Sequence, residues 1–546
     1  MWSPLIRHAS RLLLASSFLL GCNASTGSAT SSGAGAGGLG GGDGSGGGGG
    51  GAMVEPLAWQ PCPWFTVPPP DSVPAVDDGQ CARLEVPLER DVEGSASIEV
   101  VVKRLPAASG NPGRALWLLD GGPGGEGLSM EIYAARWRAL LPDVELLVPQ
   151  HRGVAEATRL DCVGEAAQSP NGFAMTLDEH QACGEELRTK WGEGLRGFSP
   201  SEAALDLAEA IAREQVGHAS PLPVTVYGGS YGTYWALRLA ALAPLAADAI
   251  VLDSTCAPGL CWAADRDLGF DDTAETVFTR CLDDATCAAH LGPDPWAKVA
   301  AVRAALDQGS CPGLTSVGIN GAAVKALLGQ LLNATVARAA MAPLIARIER
   351  CSADDVTAVR HLFDYVFGGG PSPSATHFGQ ALYAHIITSE LFAPGDPDLP
   401  AITAAAEATQ VARGTTLFAA ALYPIWPRYE PDPTLALTTP SVDVPMLVLH
   451  GGLDPLTPPN VVAALMAAYP TAQHVTFADL GHGLVSKSAS PNDTQAPTCA
   501  MRMVADFVQA PDAPVDTACV TDVFALSFDA PPEQAQLFFG RDDLWD

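Results

Sequence analysis

Ser230 lies in Tyr227-Gly-Gly-Ser-Tyr-Gly232, with glycines at 228 and 232 two residues to either side. A serine on a sharp strand-to-helix turn sits in strained backbone, so residues two positions away must be small. The helix start then directs N–H groups and a positive dipole end at its hydroxyl. The flanks suit such a turn: Pro223-Val-Thr-Val-Tyr227 reads as a short apolar strand and Tyr231 to Ala240 as an amphipathic helix. A hydroxyl is a poor nucleophile until a neutral imidazole takes its proton and a carboxylate fixes the tautomer and stabilises the imidazolium. His482, in Leu480-Gly-His-Gly483, and Asp454, in Leu449-His-Gly-Gly-Leu-Asp-Pro-Leu-Thr-Pro458, supply these groups. Each follows a strand-like run, and the chain order is serine, acid, histidine.

Two other carboxylates compete for the acid's place. Asp479 is three residues before His482, and neighbours on one turn rarely present their side chains to each other. Asp253 ends the strand after the serine turn. Asp454 is preferred because it has the strand–turn–Asp–Pro setting before His482. His450, His474 and His385 lack a comparable setting and are read as structural. Carbonyl chemistry also needs N–H donors for the developing oxyanion. Tyr231 at the helix start gives one; Gly122 in Asp120-Gly-Gly-Pro-Gly-Gly125 gives the second, with Gly121 as the alternative. No cofactor is implied, and no CxxC pair or HExxH suggests a metal site.

The elements that must hold these residues alternate. Leu84 to Leu105, Ala115 to Leu119, Val144 to Val148, Ala249 to Asp253, Pro445 to His450 and Ala472 to Ala478 read as strands. Residues 201–215 read as a helix opened by a capping serine, and the last helix is expected from Cys499 to about Val508. The class is therefore α/β, with a doubly wound, mostly parallel sheet. From 257 to 435 the strand signal fades into Ala- and Leu-rich helical periods, read as a helical cap inserted over the site. With the serine turn as a nucleophile elbow, this is the plan of an α/β-hydrolase fold. Its core would comprise residues 54–256 and 436–546.

The amino terminus follows another logic. Arg7 and Arg11 precede an apolar run, Leu12 to Leu20, too short to span a bilayer. Residues 1–22 thus read as an export signal. Its end, Leu19-Leu-Gly-Cys22, resembles a bacterial lipobox, in which Cys22 would be lipidated; Leu20 is bulky for that motif, and ordinary signal cleavage is the alternative. Asn23, rather than Asp, resembles an outer-membrane sorting signal. Residues 23–53, rich in Gly, Ala and Ser, form a flexible tether. A lipid at Cys22 would be the membrane contact. Thirty basic against 61 acidic residues leave a formal charge of −31, which argues against a nucleic-acid partner. Of 13 cysteines, setting Cys22 aside leaves an even number in an exported chain, the setting for disulfides. Spacing leaves connectivity open; pairing neighbours gives 62–81, 162–183, 256–261, 281–287, 311–351 and 499–519.

These parts together resemble the tripeptidyl aminopeptidase and proline iminopeptidase group of secreted α/β-hydrolases, over about residues 57–260 and from 380 to the end. The matching pieces are Gly121-Gly-Pro-Gly124, Arg152-Gly153 with Leu160-Asp-Cys162, Gly228-Gly-Ser-Tyr-Gly232, Asp454-Pro-Leu-Thr-Pro458, Gly481-His-Gly483 and the Cys499 to Cys519 tail. The chain departs at Gln150-His-Arg152-Gly, where that group often has Asp-x-Arg-Gly. It departs again at Thr388-Ser-Glu390 and Tyr423-Pro-Ile-Trp-Pro427, where relatives carry a cysteine pair. The resemblance implies removal of tripeptides or single residues, proline among them, from peptide amino termini. It also implies that a cap carboxylate, here Glu390, binds the substrate's amino group. An esterase or amidase acting on small molecules would use the same triad, and an inactive surface lipoprotein serving as a binding module is the reading from another class.

Overall fold

The computed structural model describes residues 54–69, 73–165, 175–368 and 378–546. The export signal, Cys22 and the 23–53 tether lie outside the described residues. Among those described, no helix is long and apolar enough to cross a membrane.

Nine strands form one sheet: β1 (Gln60–Pro61), β2 (Gln80–Pro87), β3 (Ser97–Leu105), β4 (Arg114–Leu119), β5 (Val144–Pro149), β6 (Val224–Gly229), β7 (Ala249–Asp253), β8 (Met446–Gly451) and β9 (Gln473–Phe477). Their spatial order is β1-β2-β3-β5-β4-β6-β7-β8-β9. The pairings from β1 to β5 through β3 are antiparallel, and those from β5 through β4 to β9 are parallel. The parallel strands are covered on both faces, which is why they read as unbroken apolar runs. In β4, Ala115, Trp117 and Leu119 pack on the face carrying the helices Pro200–Val216 and Tyr231–Leu242. Leu116 and Leu118 pack on the other face, against Trp137 and the helix Cys499–Gln509. That alternation is the two-residue period of a strand.

Between β7 and β8 the described residues are helical and loop, with no strand. Many of them enclose a second apolar core around Phe270, Leu327, Ile345 and Leu362. Two sequence expectations shift here. The serine that caps the helix Pro200–Val216 is Ser199, whose side chain accepts the Glu202 N–H, because Pro200 is itself tolerated in the first turn. The chain also forms a further helix after Cys499–Gln509, Pro532–Phe539, whose Ala535, Phe538 and Phe539 join the second core. Its eight residues are too short for a periodic signal to stand out. Six disulfides form, each between cysteines adjacent in sequence: 62–81, 162–183, 256–261, 281–287, 311–351 and 499–519.

Candidate active site

Strand β6 ends at Gly229 and the next helix begins at Tyr231, leaving Ser230 alone on the turn at φ 54°, ψ −123°. The glycines around it are enforced by backbone. A Cβ on Gly228 would lie 2.4 Å from the Gly232 carbonyl oxygen, and one on Gly232 would lie 2.3 Å from that of Leu119. The Ser230 N–H donates to the Asp253 carbonyl at the end of β7 (2.9 Å), and its own carbonyl accepts the Thr233 N–H (2.9 Å).

The loop after β4 lies against the serine, since a Cβ on Gly121 would come within 3.0 Å of Ser230 Cβ. Its shape is held by Asp120, a residue the sequence did not single out. The Asp120 carboxylate accepts the N–H groups of Gly121 (2.8 Å) and Gly127 (2.9 Å) and the Ser129 hydroxyl. Burial pushes this carboxyl up, against the lowering effect of those bonds. The Gly121 N–H is thereby taken, which leaves Gly122, at φ 117°, as the donor candidate of the loop. Gly122 and Tyr231 line one cleft with Ser230 and His482. As first residue of its helix, Tyr231 has an N–H with no intrahelical acceptor.

His482 follows β9 and meets Asp454, which follows β8: His482 Nδ1 lies 2.8 Å from Oδ2 and 3.1 Å from Oδ1. Asp454 is fully buried and also accepts the N–H groups of Leu456 (2.9 Å) and Thr457 (3.0 Å) and the Thr457 hydroxyl (2.6 Å). Burial alone would raise its pKa. The neighbouring His482 charge and these hydrogen bonds outweigh burial and hold the carboxyl well below the usual carboxylate range. The bond to Asp454 occupies Nδ1 and leaves Nε2 as the working nitrogen. That atom is buried without a hydrogen-bond partner, and no hydrogen bond joins it to Ser230 Oγ among the described residues. Such contacts are often loose before substrate binds.

The competing acids are engaged elsewhere. Asp253 is fully buried and accepts the N–H groups of Leu484 and Val485 (both 2.8 Å), the Tyr227 hydroxyl (2.8 Å) and the Ser254 hydroxyl (3.0 Å). It anchors the turn that carries His482 and makes no bond to the imidazole. Asp479 pairs with Arg280 and accepts the Leu526 N–H. None of His450, His474 and His385 is among the cleft-lining residues. His385 accepts from Trp426 Nε1 (3.3 Å) and bonds the Leu195 carbonyl (3.0 Å) inside the core.

Glu390 does not fit the role of an amine receptor. It is 4% exposed and absent from the cleft lining. Arg238 and the Tyr234 hydroxyl donate to its Oε2 (both 2.8 Å), and the Tyr429 hydroxyl to its Oε1 (2.7 Å). Its charge is matched within the protein by a guanidinium that is itself 1% exposed. Leu391, Arg266 and the Cys256–Cys261 bridge also line the cleft, and the space open to water-sized groups is about 60 Å³.

Residues 420–519, which include Asp454 and His482, match a family model described as TAP-like protein. No curated protein matches the chain in sequence. Among solved structures it is similar to an esterase from Exiguobacterium antarcticum, at 13% identity and a TM-score of 0.31, over 76% of this chain and 97% of that one. It is similar to a proline iminopeptidase from Mycobacterium smegmatis at 13% identity and a TM-score of 0.31, over 79% of this chain and 99% of that one. An esterase from Rhodococcus sp. ECU1013 matches at 14% identity and a TM-score of 0.30, over 78% and 98%. At these TM-scores the likenesses carry no argument about activity. The sheet order, the strained serine turn between β6 and its helix, and the match over 420–519 make the chain an α/β-hydrolase in fold with a TAP-like C-terminal region.

Proposed function

We propose that the chain is a serine hydrolase that cleaves an ester or amide bond through an acyl-enzyme. The observation that carries the reading is the shared cleft of Ser230 and His482, with the imidazole oriented by a buried, ionised Asp454. Ser230 Oγ attacks the substrate carbonyl while His482 Nε2 takes its proton. The oxyanion then receives the N–H groups of Gly122 and Tyr231. The imidazolium returns the proton to the leaving group as the carbon–heteroatom bond breaks. Water, deprotonated by the same nitrogen, displaces Ser230, releasing the acid and restoring the hydroxyl.

Peptide substrates, cleaved near the amino terminus, are the preferred class on the resemblance of the sequence motifs, and the TAP-like match over 420–519 is in keeping with it. The six disulfides support a working place outside the cytoplasm, and Cys22 as a lipid anchor belongs to the same proposal. A fluorophosphonate should label the protein on one residue, and Ser230→Ala should abolish the label while the variant melts like the wild type. Labelling that survives in the folded variant refutes the assignment, and a folded wild type that takes no label favours the binding-module reading. Alanyl, prolyl and tripeptidyl anilides compared with their amino-blocked forms then separate an aminopeptidase from an esterase or amidase.

A further inference from the structure

In a chain of formal charge −31, the cleft that holds Ser230 is lined by an arginine, Arg266, and by no carboxylate. Arg266 begins the helix Arg266–Arg280, five residues after the Cys256–Cys261 bridge, and both the bridge and Arg266 line the cleft. Its hydrogen bond is to the Tyr383 hydroxyl (3.1 Å), and among the described residues it makes no ion pair. Near it is Arg413, 6% exposed, whose guanidinium lies over the Phe270 ring (5.8 Å to its centroid) but has no hydrogen bond and no ion pair among the described residues; its Nε is sealed from solvent without a hydrogen-bond partner.

A buried guanidinium without an anion is costly, and an unpaired buried donor calls for an explanation. Burial pushes Arg413 down to about 10, and the nearby Arg266 charge adds to that lowering, against Tyr383 and Asp267. Asp267 is the acid nearest in effect, but its oxygens already accept from Thr415 and Thr416, and its charge is shared with Lys325. The other carboxylates of the site are matched too: Glu390 by Arg238, Asp454 by His482, Asp253 by backbone N–H groups. Arg266, Tyr383 and Arg413 thus form a set of donors short of one anion. The ring of Tyr383 packs on Phe378 (5.8 Å between centroids), and Phe378 in turn lies 3.1 Å from where a Gly122 Cβ would be. The set is therefore next to the oxyanion loop.

We propose that Arg266, with Tyr383 and Arg413 behind it, receives a carboxylate of the substrate, so that this hydrolase prefers substrates that carry a free carboxylate. The inference rests on the serine-hydrolase reading above. A guanidinium matches a carboxylate in shape and can hold it by two parallel hydrogen bonds, and such charge-assisted bonds are the strong ones. The carboxylate can belong to the acyl half, as an acidic side chain, or to the leaving half, as the free carboxyl terminus of a short peptide.

The test compares 4-nitrophenyl hydrogen glutarate with its twin in which the free carboxyl is methylated. The wild type should prefer the carboxylate ester in kcat/KM by roughly tenfold to a hundredfold, as expected for one charged hydrogen-bonded contact. Arg266→Gln should bring that ratio close to one, Arg266→Lys should restore part of it, and Arg413→Gln should lower it. Alanyl dipeptides with free and amidated carboxyl termini place the preference on the leaving half if they, and not the esters, show it. Calorimetry of glutarate with Ser230→Ala reads the same contact without turnover, and binding there should weaken at least tenfold on adding Arg266→Gln. Equal turnover of free and blocked forms in both series, a ratio unmoved by Arg266→Gln, or no glutarate binding to Ser230→Ala overturns the proposal. If neither ester is cleaved and Ser230 takes no fluorophosphonate, the hydrolase reading has failed instead, and the glutarate titration still decides the carboxylate site.

Discussion

Replacing Asp454 by asparagine tests the site at the point where its geometry is most specific. Oδ1 of Asp454 accepts two backbone N–H groups, from Leu456 at 2.9 Å and Thr457 at 3.0 Å. In the asparagine variant the amide oxygen must keep that place, because an NH2 there would face two donors. The NH2 group then takes the position of Oδ2, 2.8 Å from His482 Nδ1 and 2.6 Å from the Thr457 hydroxyl. It donates to Nδ1, which moves the imidazole proton to Nε2, so the nitrogen facing the serine becomes a donor and cannot act as base. The expected loss in kcat is about 10⁴-fold, or about 5.5 kcal/mol of transition-state stabilisation. The loss of charge-assisted bonds at a buried site should cost about 1–3 kcal/mol in stability, small enough to leave a folded protein. Turnover of an activated ester gives the rate, and a urea melt checks the fold. Because the Asp454 carboxyl is held below its ordinary range, the wild type should keep its advantage down to the lowest pH at which it turns over. A folded Asp454→Asn protein working within tenfold of the wild type would refute the tautomer argument and return Asp253 to consideration.

Two further outcomes concern the frame around the site. Glu390→Gln removes the partner of Arg238, which is 1% exposed, and should destabilise the protein by about 3–5 kcal/mol, read from the urea midpoint; an unchanged midpoint would show that the pair is dispensable. Glu165 accepts backbone N–H groups of Gln380 and Ala381 at the start of the helix Gln380–Ser389. Burial pushes its carboxyl up to about 7, against Arg159 and those bonds. A raised carboxyl means that the folded state holds a proton the unfolded chain has released. Stability relative to Glu165→Gln should therefore be full below the ordinary carboxylate pKa and fall as pH rises through about 7. The fall is on the order of 3 kcal/mol at most, and a pH-independent difference between the two melts would contradict it.

The parts of the site that could be read from sequence are those fixed by their own neighbours. Ser230 needs glycines at 228 and 232, and the turns bearing Asp454 and His482 follow apolar runs that must be strands, so local pattern alone suggests all three. Asp120 carried a local signal as well, since it immediately precedes the double glycine, but its work is done through Gly127 and Ser129 on the far side of the loop. The role of Asp253 depends on which strands lie side by side. Its bonds cross from β7 to residues 484 and 485, a pairing that no single stretch displays. Glu390 was assigned a ligand because the sequence does not show that Arg238, 152 positions away, already faces it. The sequence hides Arg266 and Arg413 likewise, because their meaning comes from having no ion pair among the described residues, with Asp267 already engaged by Thr415 and Thr416.

Asp253 has a mechanical consequence. Its carbonyl holds the N–H of Ser230, and its carboxylate holds the turn that presents His482, so nucleophile and base are fastened to one residue at the end of one buried strand. They cannot be drawn apart without breaking their bonds to the end of an interior strand.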